Sequence, residues 1–143
     1  MNSMLLTSHM CLDKYGNPYS EASMVLFDVP TRLELGAIPK KIYCNRDMVV
    51  PLTRALENVI NRDLITQIKT WDGCFHIRRT TGGSSYSLHS WGAAIDINAS
   101  WNRYKAKPTM SHELVQCFKD AGFDWGGDFS TPDGMHFQLK EFN

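Results

Sequence analysis

Three residues of the chain have the types and the spacing of metal ligands. His89 and Asp96 lie seven residues apart, on either side of Gly92, and His136 follows near the C-terminus. Two imidazoles and one carboxylate on a small domain are the protein ligands of an open zinc site, which leaves a fourth position for water. These residues therefore predict a Zn²⁺ site suited to hydrolysis.

The elements that carry two of these ligands are predicted to be strands. Residues 93–98 and 135–139 are short apolar stretches, and side chains alternate between the two faces of a strand. Ile95 and Phe137 then face a core, whereas Asp96 and His136 point to the other side. The alternation therefore predicts that Asp96 and His136 look out from one face of a sheet.

The rest of the chain predicts an α+β fold, a small single domain in which helices pack on an antiparallel sheet and an open zinc site lies on the other face. Apolar residues at helical spacing predict one helix over 47–61, and Ser111 as an N-cap predicts another over 111–121. Further strands are predicted at 64–71 and 75–79. Residues 1–40 are expected to form a loop-rich arm of the same domain, and 41–143 its catalytic part.

Composition excludes several classes of protein. The 143 residues include 15 basic and 15 acidic ones. The sequence contains no block of Lys and Arg of the kind that predicts nucleic-acid binding. It also contains no apolar run of about 20 residues, the length that would predict membrane insertion. The N-terminus does not resemble a signal peptide, so we expect synthesis in a cytoplasm. The four scattered cysteines are expected to be free buried thiols, and the protein is expected to be a monomer.

The ligand segment contains the string Ser-x-His-x-x-Gly-x-Ala-x-Asp, from Ser87 to Asp96. A chance match to its five fixed positions has a probability on the order of one in ten thousand for an average composition. This string and the segment Asp133-Gly134-Met135-His136-Phe137 together carry a resemblance of the chain to the zinc D-Ala-D-Ala/L-Ala-D-Glu peptidases, over roughly residues 40–140. That family includes D-alanyl-D-alanine carboxypeptidases and bacteriophage endolysins. The resemblance implies Zn²⁺ bound by His89, Asp96 and His136, and amide hydrolysis in the peptidoglycan stem peptide.

The resemblance also implies the remaining catalytic groups. The general base of the family lies three residues before the last histidine, at Asp133 here, and an upstream arginine stabilises the oxyanion. Arg78 or Arg79 occupies that region; we favour Arg78, and alternation places only one of the two at the site. Many D,D-peptidases carry Glu at the base position, whereas phage L-alanyl-D-glutamate endolysins can carry Asp. Asp133 therefore favours the endolysin branch, with Asp128 as the second candidate for the base.

Two further residues are candidates for substrate binding. Ser87 is expected to bind the substrate backbone or to orient the ligand loop, and Trp91 to wall the cleft or to pack in the core. His9, His76 and His112 are read as surface histidines, because a single histidine on a strand or helix is seldom a ligand.

The sequence thus leaves three functions open. The first is a phage endolysin that cuts between L-Ala and D-Glu and reaches the cell wall through a holin. The second is a D-alanyl-D-alanine carboxypeptidase with the same chemistry. The third is a zinc-containing module that binds the cell wall without catalysis.

Overall fold

The computed structural model of the protein describes residues 4–80 and 83–143. In these residues it has three α-helices and six β-strands, joined by short 3-10 helices. The α-helices are α1 (Ser8–Tyr15), α2 (Val49–Asn61) and α3 (His112–Lys119). The strands are β1 (Met24–Asp28), β2 (Lys41–Asn45), β3 (Trp71–Gly73), β4 (Ala94–Ile97), β5 (Phe123–Trp125) and β6 (His136–Leu139).

The strands form two antiparallel sheets. β1 pairs with β2, and the second sheet has the order β3-β4-β6-β5. Helices α2 and α3 pack on each other, and α3 also contacts β5. Helices beside antiparallel strands confirm the α+β prediction. That the metal site lies on the face opposite the helices stays a prediction.

The register of β4 and β6 places two ligand candidates side by side. Asp96 lies directly opposite His136. The backbone N–H of Ile97 donates to the carbonyl of Met135 at 3.0 Å, so the neighbouring pair 96/136 belongs to the class without ladder hydrogen bonds. Cα atoms of such pairs are only ~4.5 Å apart, which brings their side chains close. Ile95 and Phe137, one residue away, are fully buried in the core as predicted.

The two predicted helices form with slightly shorter bounds. α2 begins at Val49 after a 3-10 turn over Arg46–Met48, and its buried side follows the predicted apolar spacing, with Leu52, Ala55, Leu56 and Val59. The Ser111 hydroxyl accepts a hydrogen bond from the N–H of Leu114, which confirms the predicted N-cap of α3.

The strand predicted at 64–71 is wrong except for its last residue. Ile65–Gln67 is a 3-10 turn, and the backbone beyond it is bonded by the side chain of Asn98. The Asn98 carbonyl oxygen accepts from the N–H of Lys69 at 2.7 Å and of Thr70 at 3.2 Å, and its amide donates to the carbonyl of Gln67. The buried side-chain amide of Asn98 thus forms hydrogen bonds with backbone groups that would otherwise pair with a neighbouring strand.

The strand predicted at 75–79 is also wrong. The N–H of His76 donates to the carbonyl of His89, and the N–H of Arg78 donates to the hydroxyl of Ser90. A single antiparallel bridge joins Arg79 to Tyr86. This segment is therefore bonded to the ligand loop and not to a strand of the sheet.

The N-terminal region contains α1 and β1, which the sequence did not predict as regular elements; residues 1–3 of the predicted arm lie outside the described part. Thr7 caps α1, because its side-chain hydroxyl accepts from the N–H of Met10. Cys11 and Tyr15 are its buried residues, and the hydroxyl of Tyr15 donates to Asp47 at 2.6 Å. With two buried residues among eight, α1 has too weak an apolar stripe to be recognised. The division of the chain at residue 40 stays a prediction.

All four cysteines lie within the described ranges and are buried free thiols: Cys11, Cys44, Cys74 and Cys117. Among the helices of residues 4–80 and 83–143, none has the length and apolar character needed to cross a membrane.

Candidate metal centre

His89, Asp96 and His136 converge on one point. Nε2 of His89 lies 3.2 Å from Oδ1 of Asp96 and 3.3 Å from Nδ1 of His136. Nδ1 of His136 lies 3.6 Å from the same carboxylate oxygen. All three potential ligand atoms are within 4.8 Å of one another, so one ion can contact them together.

Ser87 and Gly92 shape the loop that carries His89. His89 lies in a 3-10 helix over Leu88–Trp91, and the Ser87 hydroxyl caps this helix by accepting from the N–H of His89 at 3.3 Å. Gly92 ends the helix with φ +62°, in the left-handed region that favours glycine. The serine and the glycine of the motif thus hold the two ends of the turn that presents His89.

Gly92 is also required by a close approach. A Cβ atom at this position would lie 2.7 Å from the backbone nitrogen of Asn45 and 2.6 Å from the methyl group of Met24. The N–H of Asn45 donates to the carbonyl of Gly92 at 3.0 Å. The loop therefore packs directly on the first sheet, and the missing side chain makes this contact possible.

The imidazole of His89 is held in one tautomer. Its Nδ1 lies 2.7 Å from the carbonyl oxygen of Cys74, which only accepts hydrogen bonds. Nδ1 therefore carries the proton, and a neutral His89 turns the lone pair of Nε2 towards Asp96 and His136. A carbonyl that orients a histidine in this way is typical of metal ligands.

The group fits a cation. Oδ1 of Asp96 is buried and accepts no hydrogen bond from the described residues, although two ring nitrogens lie close to it. Burial acts to raise the pKa of Asp96, but the adjacent rings of His136 and His89, when protonated, outweigh it and hold the pKa below its ordinary range. Burial acts to lower the pKa of His136, yet Asp96 raises it overall. The pocket thus favours positive charge, and two imidazoles with a carboxylate are ligands that suit zinc.

A cavity of about 380 Å³ opens beside this group. Asp96 and His136 contribute to its wall together with Asp133, Arg78 and Ser87. We call it the main cavity. A second cavity of about 270 Å³, the side cavity, lies towards β3 and is lined by His89, Asp96 and Arg78 among others. The candidate ligands therefore lie between two open spaces.

Asp133 is placed in the main cavity by a tight turn. Its N–H donates to the carbonyl of Gly126 at 2.9 Å, and its own carbonyl accepts from the N–H of His136. A Cβ atom on Gly126 would lie 2.3 Å from the carbonyl oxygen of Asp133 and 3.0 Å from Cβ of His136. The indole N–H of Trp125 donates to the carbonyl of Gly134. The Trp125-Gly126 pair thus fixes the turn between Asp133 and His136.

The carboxyl group of Asp133 is partly withdrawn from water. Burial raises the pKa of Asp133 above its ordinary value, and Asp96 adds to the shift, whereas His136, His89 and Arg78 oppose it. A carboxylate with a raised pKa, in a cavity beside three candidate metal ligands, is suited to accept a proton.

Arg78 and Arg79 lie in different surroundings. Arg78 lines both cavities, and its backbone is held by the hydroxyl of Ser90. Arg79 is exposed, donates to the carbonyl of Ser84, and places its guanidinium 3.9 Å from the ring centre of Tyr86. Arg78 is therefore the arginine at the candidate site.

The remaining predicted residues are placed as follows. Ser87 is buried at the edge of the main cavity, where it caps the ligand loop. Trp91 lies in the core, with its indole N–H donating to the carbonyl of Gly16, so its placement argues for packing. Asp128 is exposed and forms a salt bridge with Lys119 at 2.7 Å. Exposed positions are also found for His9, His76 and His112.

Two contacts to the histidines were missed from the sequence. The carbonyl of Cys74 is a backbone group and leaves no signal in residue types. Gln138 is buried, with Oε1 2.9 Å from Nε2 of His136. Its position two residues after His136, on the same face of β6, was the available signal.

Comparison with known proteins agrees with this geometry. No curated protein and no solved structure gives a significant match to the chain. A family model described as D-alanyl-D-alanine carboxypeptidase matches residues 81–139, a segment that contains His89, Asp96, Asp133 and His136 but not Arg78. Because this family is zinc-dependent, the match supports a zinc metallopeptidase that acts on peptidoglycan. The resemblance to the D-alanyl-D-alanine carboxypeptidase family of zinc peptidases is thereby confirmed over residues 81–139.

Proposed function

We propose that the protein hydrolyses an amide bond of the peptidoglycan stem peptide, as an endolysin of the L-alanyl-D-glutamate type. The observation that carries this proposal is the shared cavity: two of the three candidate ligands, Asp133 and Arg78 all line one space of about 380 Å³. A metal group, a carboxylate and a fixed positive charge are the parts that amide hydrolysis requires.

Each residue has a defined task in this reaction. His89, Asp96 and His136 would hold a zinc ion, which would supply Lewis acidity that makes water a stronger acid and polarises a carbonyl. Asp133 takes a proton from the water that attacks the amide carbon, and passes it to the amine as the C–N bond breaks. The guanidinium of Arg78 stabilises the negative charge that develops on the carbonyl oxygen. The products are a carboxylate and a free amine.

The two cavities support an endopeptidase. The main cavity lies on the β6 side of Asp96 and the side cavity on the β3 side, so space is open on both sides of the metal group. A carboxypeptidase must also bind the terminal carboxylate of its substrate. Among the described residues that line these cavities, Arg78 is the one Lys or Arg, and the reaction itself uses its charge.

A digest of purified muropeptides by the zinc-loaded protein tests the cleavage site. Mass spectrometry is expected to show release of stem peptides that begin with D-glutamate, because the bond to L-alanine is cut. The same digest with excess chelator is the control, and it should leave the muropeptides intact. Intact L-Ala–D-Glu bonds after exhaustive digestion would contradict the endolysin proposal.

The second candidate is a D-alanyl-D-alanine carboxypeptidase, which the description of the matching family favours. In the same digest this activity shortens pentapeptide stems by one alanine and leaves the link to the glycan in place. The mass difference between the two sets of products separates the candidates in one experiment.

A module that binds the wall without cutting it is the third candidate. Turbidity of a cell-wall suspension distinguishes it from the endolysin. The endolysin clears the suspension, loses this ability with chelator and regains it with added zinc. Co-sedimentation with the wall, unchanged turbidity and unchanged muropeptide masses would together favour the binding module.

A further inference from the structure

Gln138 connects the metal centre to the N-terminal segment. Its side-chain oxygen lies 2.9 Å from Nε2 of His136, and its side-chain nitrogen donates to the carbonyl oxygen of Leu6 at 3.2 Å. Gln138 is 5% exposed and Leu6 is 7% exposed, so water does not compete freely for these contacts. The hydrogen bond between Gln138 and Leu6 joins residues that are 132 positions apart in the chain.

The Leu6 carbonyl determines the orientation of the amide. A backbone carbonyl only accepts hydrogen bonds, so the NH₂ group of Gln138 must face Leu6. The amide oxygen then faces His136. The opposite orientation would bring two carbonyl oxygens together in a buried place and lose the hydrogen bond to Leu6, at a cost in free energy.

The amide in turn determines the tautomer of His136. Because the oxygen of Gln138 accepts, Nε2 of His136 must donate and carries the proton. A neutral His136 then has its lone pair on Nδ1, the atom that lies 3.3 Å from Nε2 of His89 and 3.6 Å from Oδ1 of Asp96. Both histidines thus turn an unprotonated nitrogen towards the same point.

We propose that Gln138 is a positioning residue of the metal centre, and that the N-terminal segment holds it through the carbonyl of Leu6. The proposal rests on the zinc site of the proposed function. Gln138 acts through His136 and does not contact the metal. It selects the tautomer and the ring orientation in which Nδ1 is a ligand, as carbonyl groups do for other metal-bound histidines.

The N-terminal segment is well placed for this task. Just before α1, the carbonyl of Leu6 accepts from Gln138 of β6, and just after α1 the carbonyl of Gly16 accepts from the indole of Trp91. Trp91 lies in the 3-10 helix that carries His89. Helix α1 therefore spans the two elements that supply the histidine ligands. Its own position is secured by the hydrogen bond from Tyr15 to Asp47.

Zinc affinity of the full chain tests the proposal, by competition with a fluorescent chelator. Wild-type protein is measured first, since a failure to bind zinc would overturn both the proposed function and this inference. Q138M keeps the length and the burial of the side chain but cannot accept from His136. We expect it to bind zinc about 10–100-fold more weakly, the usual cost of removing such a partner.

Q138E is the conservative variant. Its carboxylate still accepts from Nε2 of His136, so zinc affinity should stay within about threefold of wild type. It cannot donate to Leu6, however. Hydrogen exchange of the amides of Met10 and Cys11, in the first turn of α1, should therefore be faster than in wild type. Retained affinity with a loosened α1 is a pattern that a packing role of Gln138 would not produce.

Two controls complete the experiment. Q116M makes the same substitution on α3, where the Gln116 amide bonds to Asp120 away from the metal group, and it should leave zinc affinity unchanged. If Q138M does not fold, the ¹⁵N–¹H spectrum of His136 in wild-type protein decides instead, because the proposal requires a proton on Nε2 in the zinc-loaded form. A proton on Nδ1, wild-type affinity in Q138M, equal losses in Q138M and Q138E, or unchanged exchange in Q138E would each overturn the proposal.

Discussion

Asp96 and His136 face each other across β4 and β6, and their side chains meet with Oδ1 and Nδ1 3.6 Å apart. This cross-strand pair supplies two of the three candidate ligands from rigid elements. The third, His89, is delivered by a loop that depends on a capping serine and a left-handed glycine.

Removal of a ligand should abolish metal binding. We expect Asp96→Asn and His136→Ala to lose zinc on dialysis, because an open site has only three protein ligands to begin with. His112→Ala changes an exposed histidine away from the centre and should keep zinc. Elemental analysis of the dialysed proteins measures the metal content. Near-stoichiometric zinc in either ligand variant would show that the assignment is wrong.

Removal of the proposed base should separate binding from catalysis. Asp133→Ala is expected to keep zinc and to lower kcat by about 10²–10⁴-fold, the usual contribution of a positioned general base. Asp128→Ala is the matched control, since its carboxylate bonds to Lys119 outside the main cavity. Stem-peptide hydrolysis, measured on both variants, gives the rates. The reverse pattern, with the loss in the Asp128 variant, would identify Asp128 as the base.

The arginine pair offers an internal comparison. Arg78→Ala should lower kcat by about 10²–10³-fold, as the loss of one oxyanion donor does. Arg79→Ala removes a guanidinium that lies over Tyr86, and turnover should remain close to wild type. Circular dichroism of both variants checks that the fold is kept. Equal losses of rate in the two would remove the distinction between them.

The burial of Asp133 should also be visible in stability. A folded-state pKa above the ordinary value means that the contribution of this carboxyl group is fully present at low pH and is lost as pH rises through the folded-state pKa. In metal-free protein, Asp133→Asn should therefore become more stable relative to wild type between about pH 4 and pH 7. Urea unfolding with chelator present measures the difference.

Asp120 provides a control of opposite sign. Gln116 and Arg62 hold the pKa of Asp120 below its ordinary value, so its contribution is present above the unfolded-state pKa and is lost as pH falls. Asp120→Asn should consequently become less stable relative to wild type as pH rises towards the ordinary carboxyl pKa of about 4, and should change little above it. A difference for Asp133→Asn that does not change with pH would contradict the assigned burial effect.

The clustering of the three candidate ligands was predictable because each of them leaves a local signal. Asp96 and His136 follow from alternation along two strands, and His89 follows from a motif with five fixed positions. The segment at 64–71 was not predictable, because the side chain of Asn98, about 30 positions away, takes over its backbone bonds. The same is true of residues 75–79, whose backbone bonds to the His89 loop. Such contacts depend on the finished fold and not on local periodicity.

The role of the N-terminal region was hidden for a similar reason. α1 has a weak apolar stripe, and its links to the site run through the backbone carbonyls of Leu6 and Gly16. Carbonyl groups are present at every position, so residue types cannot show which of them is used. Gln138 alone carried a signal, since it shares a face with His136.

The loop that carries His89 should be sensitive at Gly92. Gly92→Ala adds a Cβ atom at φ +62°, 2.7 Å from the backbone nitrogen of Asn45, so both strain and overlap are expected. Together they should lower the free energy of unfolding by more than about 2 kcal/mol. Gly36→Ala is the control, because φ is +57° there and the nearest atom, on the Ile65 side chain, is at an ordinary 3.4 Å. It should cost only the left-handed strain, roughly 1 kcal/mol. Chemical unfolding of the two variants measures both costs, and equal values would show that the approach of Gly92 to Asn45 does not hold the loop.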